Sequence, residues 1–456
     1  VQRFRCAVLS FVQILRFNVS KSALPARHEH AQPEEEPAPI EAAREAANQA
    51  VEDADLYIEK GTRQFIHTAL ALFCGGFATF ALLYCVQPMM PIFSEAFGIT
   101  AAKSSLVLSV STGLMAVGLL VTGSISDAIG RKPVMVVSLF AAAFFTLLSA
   151  IMPTWEGVLV TRALVGLSLS GLAAVAMTYL SEEIHPQHIG LSMGLYISGN
   201  ALGGMSGRVI SGVLVDFVSW RIALAILGSL ALIAAIVFWR RLPESRHFRP
   251  TPLKPRTLVN GFTQHFRDAG LPWLFLEGFL LMGAFVTLFN YIGYRLLGEP
   301  YHLSQAVVGV LSVVYLSGIY SSAQVGSLAD KLGRRRVFWA VILLMLGGVV
   351  LTLFTPLPLV LVGMLLFTFG FFGAHSVASS WIGRRARQAK GQASSLYLFC
   401  YYVGSSIAGT LGGVFWHEAG WNGVGLFIAT LLVGALAVAL HLARLPALPL
   451  NVKAAR

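Results

Sequence analysis

Long apolar runs limit what this chain can become. Stretches of eighteen or more apolar residues recur between about residue 66 and residue 443. Each is long enough to cross the roughly 30 Å hydrocarbon core of a bilayer as a helix. Charged residues make up 12% of the 456 positions and hydrophobic ones 56%, against about 25% charged in an ordinary soluble domain. The mean hydropathy is +0.71. The expectation is an all-α membrane protein that crosses the lipid bilayer many times.

Twelve spans can be placed, near 66–92, 104–125, 134–152, 157–180, 190–215, 221–241, 272–294, 305–327, 337–355, 358–380, 391–416 and 421–443. Pro88 and Pro91 are expected to end the first and Pro153 the third. The loops between spans alternate in charge. Arg131 and Lys132 follow span 2. Arg240, Arg241, Arg246, Arg249, Lys254, Arg256 and Arg267 follow span 6. Lys331, Arg334, Arg335 and Arg336 follow span 8, and Arg384, Arg385, Arg387 and Lys390 follow span 10. The other loops hold only Lys103, Arg221 and Arg295. Cytoplasmic loops collect Lys and Arg, so the basic loops and both termini are expected in the cytoplasm. The net charge of +11 is thereby assigned to topology, and no nucleic-acid partner is expected.

The chain repeats itself. "GSISDAIGRK" (Gly123–Lys132) returns as "GSLADKLGRR" (Gly326–Arg335), 203 residues on, and "GNALGGMSGR" from Gly199 aligns with "GSSIAGTLGG" from Gly404, 205 residues on. Two separate segments at nearly one offset argue for two homologous halves of six helices each, 66–241 and 272–443. A Pro-containing cytoplasmic linker over 242–271 would join them. Parallel repeats place a site at the bilayer midplane, between halves that rock against each other. Residues 1–65 read as a polar tail rich in Ala, Pro and Glu, and 444–456 as a second, cytoplasmic tail. The chain begins with Val1, and its basic first twenty residues read as an over-extended start more readily than as a targeting segment. His28 and His30 in that tail could ligate a metal, but no metal site is expected there. Cys6, Cys74, Cys85 and Cys400 show no disulfide or metal spacing.

Gly123–Lys132 has the glycines and bases of a phosphate loop but not its spacing or its strand. No His-Glu-x-x-His or Cys-x-x-Cys spacing is present. No enzyme activity and no cofactor are expected. The loop reads better as a hinge. Gly123 would let a neighbouring helix approach, and Asp127 would face the amides at another helix's N-terminus. Gly130 would turn with positive φ, and Arg131 with Lys132 would pair with Glu182 and Glu183. In the second copy, Gly326, Asp330, Gly333, Arg334 and Arg335 repeat the pattern G-x3-D-x2-G-R-[KR]. There Asp330 faces Arg384 and Arg385.

Motif, repeat and topology together resemble the major facilitator superfamily over about 66–443. "TRALVGLSLSGL" (161–172), with Arg162 and Gly166, is similar to the family's fourth-span motif. "FALLYCVQPMMP", "GLYISGNALGGMSGRVISG", "LPESRHFRP" and "GAHSVASSWIG" resemble its acriflavine-sensitivity branch of inner-membrane transport proteins. The resemblance implies two pseudo-symmetric six-helix bundles, a bacterial inner-membrane location and drug-efflux-like transport. Gly199, Gly203 and Gly207 match the family's antiporter signature in span 5, but Gly204 stands where it has Pro and Arg208 where it has its last Gly.

Charge inside a span is costly and marks function. Away from span ends there are three such residues, Arg162, Arg208 and Glu277. The resemblance implies a role for Arg162 in proton coupling, with snorkelling as the alternative. Arg208 is expected either to bind an anionic substrate group or to anchor the span end beside Asp216. Glu277 would carry a proton, or pair with a loop Arg. His375 offers a second titratable group, or a packing hydrogen bond. Tyr84, Tyr196, Asn200, Asn290, Tyr294 and Tyr401 are candidates to line a cavity. The function expected is proton-coupled efflux of a small molecule by a protein acting as a monomer, with a proton symporter of a neutral or anionic metabolite as the alternative. A non-transporting sensor on the same fold is the other class, argued against by the lack of a legible signalling domain.

Overall fold

A computed structural model describes residues 57–251 and 255–445. The pair His28 and His30, the basic first twenty residues and most of both tails lie outside these. Among the described residues the first half comprises α1 (Arg63–Tyr84), the short α2 (Met90–Phe97), α3 (Ala101–Ile129), α4 (Arg131–Ile151), α5 (Trp155–Glu183), α6 (Ile189–Phe217) and α7 (Trp220–Arg241). After the linker helix α8 (Pro255–Thr263), the second half comprises α9 (Leu271–Leu297), α10 (Gln305–Val310), α11 (Tyr315–Leu332), α12 (Arg334–Thr352), α13 (Leu357–Arg385) and α14 (Lys390–Arg444).

Ten helical segments among the described residues are long and apolar enough to cross a membrane, with Gln305–Leu332 counted as one. α6 falls outside that set although it is 29 residues long, because its glycines, Asn200 and Arg208 dilute its hydropathy. α14 is two helices, broken at Ala419 and at Gly420, whose φ is +55°. Ten of the twelve expected spans fall on single helices, with α14 taken as two; 66–92 runs over α1, a turn and the start of α2, and 305–327 over α10, a 3-10 turn and α11. The lipid-facing sides carry exposed aliphatic and aromatic residues such as Val137, Phe144, Ile151 and Leu426.

Helix starts follow local chemistry. Thr62, Thr100, Thr154, Ser219 and Ser304 each accept the amide of the third residue of the following helix, the usual role of a hydroxyl at an N-cap. One expectation fails here. Pro91 does not end the first span. α1 stops at Tyr84, and Pro91 sits in the first turn of α2, where its missing N–H costs nothing.

Within the first half α6 packs along α1, and in the second α14 packs along α9. Both contacts are glycine faces. A Cβ at Gly199, Gly203 or Gly207 would meet the backbone of Phe73, Phe77 and Ala81; one at Gly404 would meet that of Phe279. Small residues let membrane helices approach this closely. The three signature glycines thus pack helix on helix inside one half. Gly204, in the place of the family's Pro, lies beside Tyr84 and Phe80 of the same α1, on the cavity side.

Among the described residues the halves meet at the end with few basic residues. There Gly212 and Gly309 place α6 and α10 in backbone contact, and α3 packs against α14 through Ser109, Ser406 and Thr410. Gln87 donates to Asn290 across the divide at 2.7 Å, and Ser94 pairs with Tyr294 at 2.7 Å.

Candidate functional site

Between the halves lies a cavity of about 530 Å³. Its walls include Phe80, Tyr84, Tyr196 and Asn200 from the first half and Phe285, Tyr315, Phe371, Tyr401 and Tyr402 from the second. His375, Ser376, Ser379 and Ser380 add a polar strip. No Asp, Glu, Lys or Arg is among the lining residues. A mostly apolar wall with a few convergent polar groups is the usual form of a small-molecule site. Of the residues expected to line a cavity, Tyr84, Tyr196, Asn200 and Tyr401 do so. Asn290 and Tyr294 do not: both belong to the contacts that close the far end.

Arg208 sits beneath the floor. It is 2% exposed, and its Nη1 donates to Gly204 O at 2.6 Å while its Nε donates to Gln87. Its guanidinium lies 4.2 Å from the Tyr84 ring centroid and 4.6 Å from that of Tyr315. It does not pair with Asp216. That carboxylate accepts from the Gln305 and Ala306 amides at 3.1 and 2.9 Å, capping α10 from the other half. Arg208 is thus a buried cation with aromatic faces and neutral acceptors around it, and no carboxylate among its described partners.

Arg162 is fully buried and donates to the carbonyls of Leu82 and Leu83, both at 3.0 Å. These are end carbonyls of α1, which have no partner within the helix. Its side chain points inward and closes a helix end, so the snorkelling alternative does not hold. Gly166, one turn along α5, would clash with the Ser111 backbone if it carried a Cβ.

Glu277 is also fully buried, one and a half turns into α9 from the basic end. Neither carboxylate oxygen has a hydrogen-bond partner among the described residues. The expected alternative, pairing with a loop Arg, is absent there. The next residue, Gly278, packs against Tyr397. The Tyr397 hydroxyl meets His375 Nδ1 at 2.8 Å. Tyr397 and His375 are thus joined at the cavity wall.

The two hinge loops cap the basic ends. Gly130 and Gly333 turn with φ of +109° and +90°. Arg131 donates to Ser126 at 2.8 Å, to Asp127, and to both oxygens of Glu182 at 3.0 and 2.7 Å. Lys132 pairs with Glu244 at 2.7 Å, so Glu182 and Glu183 are not its partners. Among the described residues no helix N-terminal amide donates to the Asp127 carboxylate; it pairs instead with the side chain of Arg131, the first residue of α4. Glu183 accepts instead from the His247 amide at 3.0 Å. A Cβ added at Gly123 would meet nothing within 4 Å, so the expected close helix is absent where the halves stand apart. In the second copy Asp330 pairs with Arg334, and with Arg384 at 3.3 Å. Gly326 faces Ser376, and Arg335 is half-buried in the first turn of α12. Arg385 turns away to Asp268, which also caps α9 through the Gly270 and Leu271 amides, both at 2.8 Å. Burial would raise the Asp268 carboxyl, but Arg385 and these amides together hold it below its ordinary value.

One serine spacing carries no chemistry. Gly190–Gly194 reads Gly-x-Ser-x-Gly, but Ser192 lies inside α6 and donates to His188 O at 3.2 Å, without the strand-to-helix turn that exposes a nucleophile.

Comparison with known proteins agrees with this architecture. The sequence profile of the Major Facilitator Superfamily matches residues 72–409 and 294–456. The inner membrane transport protein YnfM of Escherichia coli K12 is 62% identical over 402 residues, covering 88% of this chain and 96% of the relative. An uncharacterized transporter of the same superfamily type, YybF of Bacillus subtilis strain 168, is 47% identical over 86% of this chain and 97% of its own length. In structure the chain is similar to a bacterial homologue of the human lysosomal transporter Spinster in an inward-facing, unoccupied conformation. The TM-score is 0.71, over 84% of this chain and 97% of that one, at 13% identity. A mutant of the nucleoside transporter NupG gives a TM-score of 0.69, over 82% and 99%, at 16% identity. At those identities the two structures speak for the fold alone.

Proposed function

The chain belongs to the major facilitator superfamily, and from that premise we propose that it exports a small amphipathic molecule across the bacterial inner membrane by proton-coupled alternating access. The observation that carries this reading is the cavity between the halves, reachable from the basic end and sealed at the other by the Gly212–Gly309 and Gln87–Asn290 contacts. With the basic loops and both termini in the cytoplasm, this arrangement faces inward. The protein acts as a monomer, with the proton gradient as its driving force and no cofactor.

The wall favours an uncharged aromatic compound. It offers rings for stacking and no acid to hold a cation. Glu277 is the proton carrier in this reading. A buried carboxylate with neither oxygen hydrogen-bonded is far costlier charged than protonated. A change of state that admits water or a partner to Glu277 would release that proton. The hinge loops at Gly123–Lys132 and Gly326–Arg335 would dock across the halves in the opposite state. In inside-out vesicles, adding a transported compound should collapse a preformed pH gradient. Glu277→Gln should abolish that response while the protein still folds. Transport with unchanged pH dependence in Glu277→Gln would sink the proton role, and no gradient response to any compound in a broad panel would sink proton-coupled export.

One observation favours a second reading, symport of an anion into the cell. Arg208 is a buried cation without a carboxylate, just below the cavity floor between Tyr84 and Tyr315. An anionic group that displaced one of those rings would neutralise it. In that case Arg208→Gln should abolish uptake of anionic compounds and spare neutral ones.

A further inference from the structure

A cluster outside the cavity has ligand chemistry of its own. Glu59, His185 and His188 bring one ligand atom each within 4.8 Å of one another. A Glu59 oxygen lies 3.7 Å from His185 Nε2, and the other lies 3.3 Å from His188 Nε2. We propose that these three side chains form a binding site for a transition-metal dication of the Zn²⁺ class, clipping the segment ahead of α1 to the turn between α5 and α6.

The backbone holds the cluster in register before any ion is considered. The Ile58 amide donates to Glu183 O at 2.9 Å, and the His185 amide donates to Ile58 O at 3.3 Å. Ile58 itself is 3% exposed, so the residue before Glu59 is anchored in the core of the first half. His185 caps, and His188 ends, a one-turn 3-10 helix that opens with Pro186. Proline fixes φ there, and the three-residue spacing puts both rings on one side, 5.9 Å apart. Phe65 lies edge-on to His188, and Tyr57 edge-on to His185. The rings are oriented by packing on both flanks.

Two imidazoles and one carboxylate are a known zinc donor set, leaving a fourth position for water. With bonds of about 2.0–2.1 Å in a tetrahedron, neighbouring donor atoms sit roughly 3.4 Å apart. The separation of His188 Nε2 from one Glu59 oxygen, 3.3 Å, is close to that value, and His185 Nε2 lies 3.7 Å from the other oxygen of the same carboxylate. Imidazole also suits Ni²⁺ and Cu²⁺, whereas Mg²⁺ and Ca²⁺ take oxygen ligands. His185 Nδ1 accepts from the Gln187 amide only at 3.4 Å, long enough to be given up when Nδ1 carries the proton and Nε2 takes the ion. None of the three residues lines the cavity, so the ion would be a fixed part of the first half and not cargo.

The test uses the full chain purified in detergent on a tag without histidine, stripped with a chelator and titrated with Zn²⁺. One equivalent should bind calorimetrically, unaffected by millimolar Mg²⁺. The melting temperature should rise with Zn²⁺ concentration, as it does for any ligand of the folded state alone. Zinc-edge X-ray absorption should show two imidazole nitrogens in the first shell. His185→Ala/His188→Ala should lose that equivalent, whereas His28→Ala/His30→Ala should keep it. Glu59→Gln, a change at a half-exposed side chain that leaves folding alone, should weaken affinity by at least about tenfold, since even partners behind a metal's ligands are worth that much. An equivalent that survives the 185/188 change, disappears with the 28/30 change or is indifferent to Glu59→Gln overturns the site, as does absence of zinc binding by folded parent protein.

Discussion

The two hinge loops share a sequence pattern and differ in almost everything the tertiary structure adds. In the first, Arg131 is 8% exposed and its guanidinium is shared among Ser126, Asp127 and Glu182. In the second, the acid is the hub: Asp330 is exposed and takes Arg334 and Arg384. The same ten positions thus build a partly buried arginine network in one half and a solvated acid cluster in the other. The cause is the partner helix. α5 ends in Glu182 and Glu183, and its counterpart α13 ends in Arg384 and Arg385. A repeat conserves the element but not the charge of what it meets.

The sharpest way to test how alike the halves remain is to attack the part they do share. Gly203→Val and Gly404→Val each drive a side chain into the backbone of the facing helix. Both should destabilise on the order of 3 kcal/mol, seen as loss of monodisperse protein or a large drop in melting temperature in detergent. If only one of the pair is harmful, the two glycine faces are not equivalent. Gly123→Ala, with open space around it, should leave melting unchanged in this conformation.

The loops themselves should respond unequally. Arg131→Ala removes hydrogen bonds to two carboxylates from a largely buried position and should cost roughly 2 kcal/mol. Arg334→Ala loses one pair with an exposed carboxylate and a bond to Ser380, and should cost less, about 1 kcal/mol. Equal melting shifts would erase the distinction between an arginine held by two carboxylates and one held by a single exposed one.

The smallest effect concerns pH. Asp268, held by Arg385 at the entrance to α9, has a carboxyl below its ordinary value of 3.8. A depressed carboxyl adds stability that is full above the unfolded value and disappears as pH falls through the folded one. The melting difference between the parent and Asp268→Asn should therefore be constant from pH 7 to about pH 5 and shrink below about pH 4. Asp330→Asn, at an exposed site, should show a smaller difference throughout. A gap that widens on acidification would contradict the assignment.

Much of the architecture is legible in the sequence because its causes are local or periodic. Span positions follow from apolar length, the halves from two matched offsets, and the positive φ of Gly130 from its place in a short turn. The departures have a common origin in what surrounds a residue. Pro91 reads as a helix stop, but a proline in a first turn is equally comfortable. Gly123 reads as a close-packing glycine, but the basic ends of the halves stand apart. Asn290 and Tyr294 read as cavity residues, yet their sequence environment is the same as that of Tyr84. The cluster of Glu59, His185 and His188 is illegible in the sequence because Glu59 lies more than a hundred residues from its partners, and no short-range spacing joins it to them.

The sequence by itself determined that this chain lives in a bilayer, that its basic loops share one side and that it is two copies of one unit. Those properties depend on transfer free energies and periodicity, which act residue by residue. Only the tertiary structure decided which charges are caged, capped or unpaired. Arg162 closes a helix end, Arg208 lies among aromatic rings and Glu277 has no hydrogen-bond partner among the described residues, although all three look alike as isolated charges in apolar text. The cost of a buried charge depends on what lies within a few ångströms of it, and those neighbours come from helices the chain brings together only on folding.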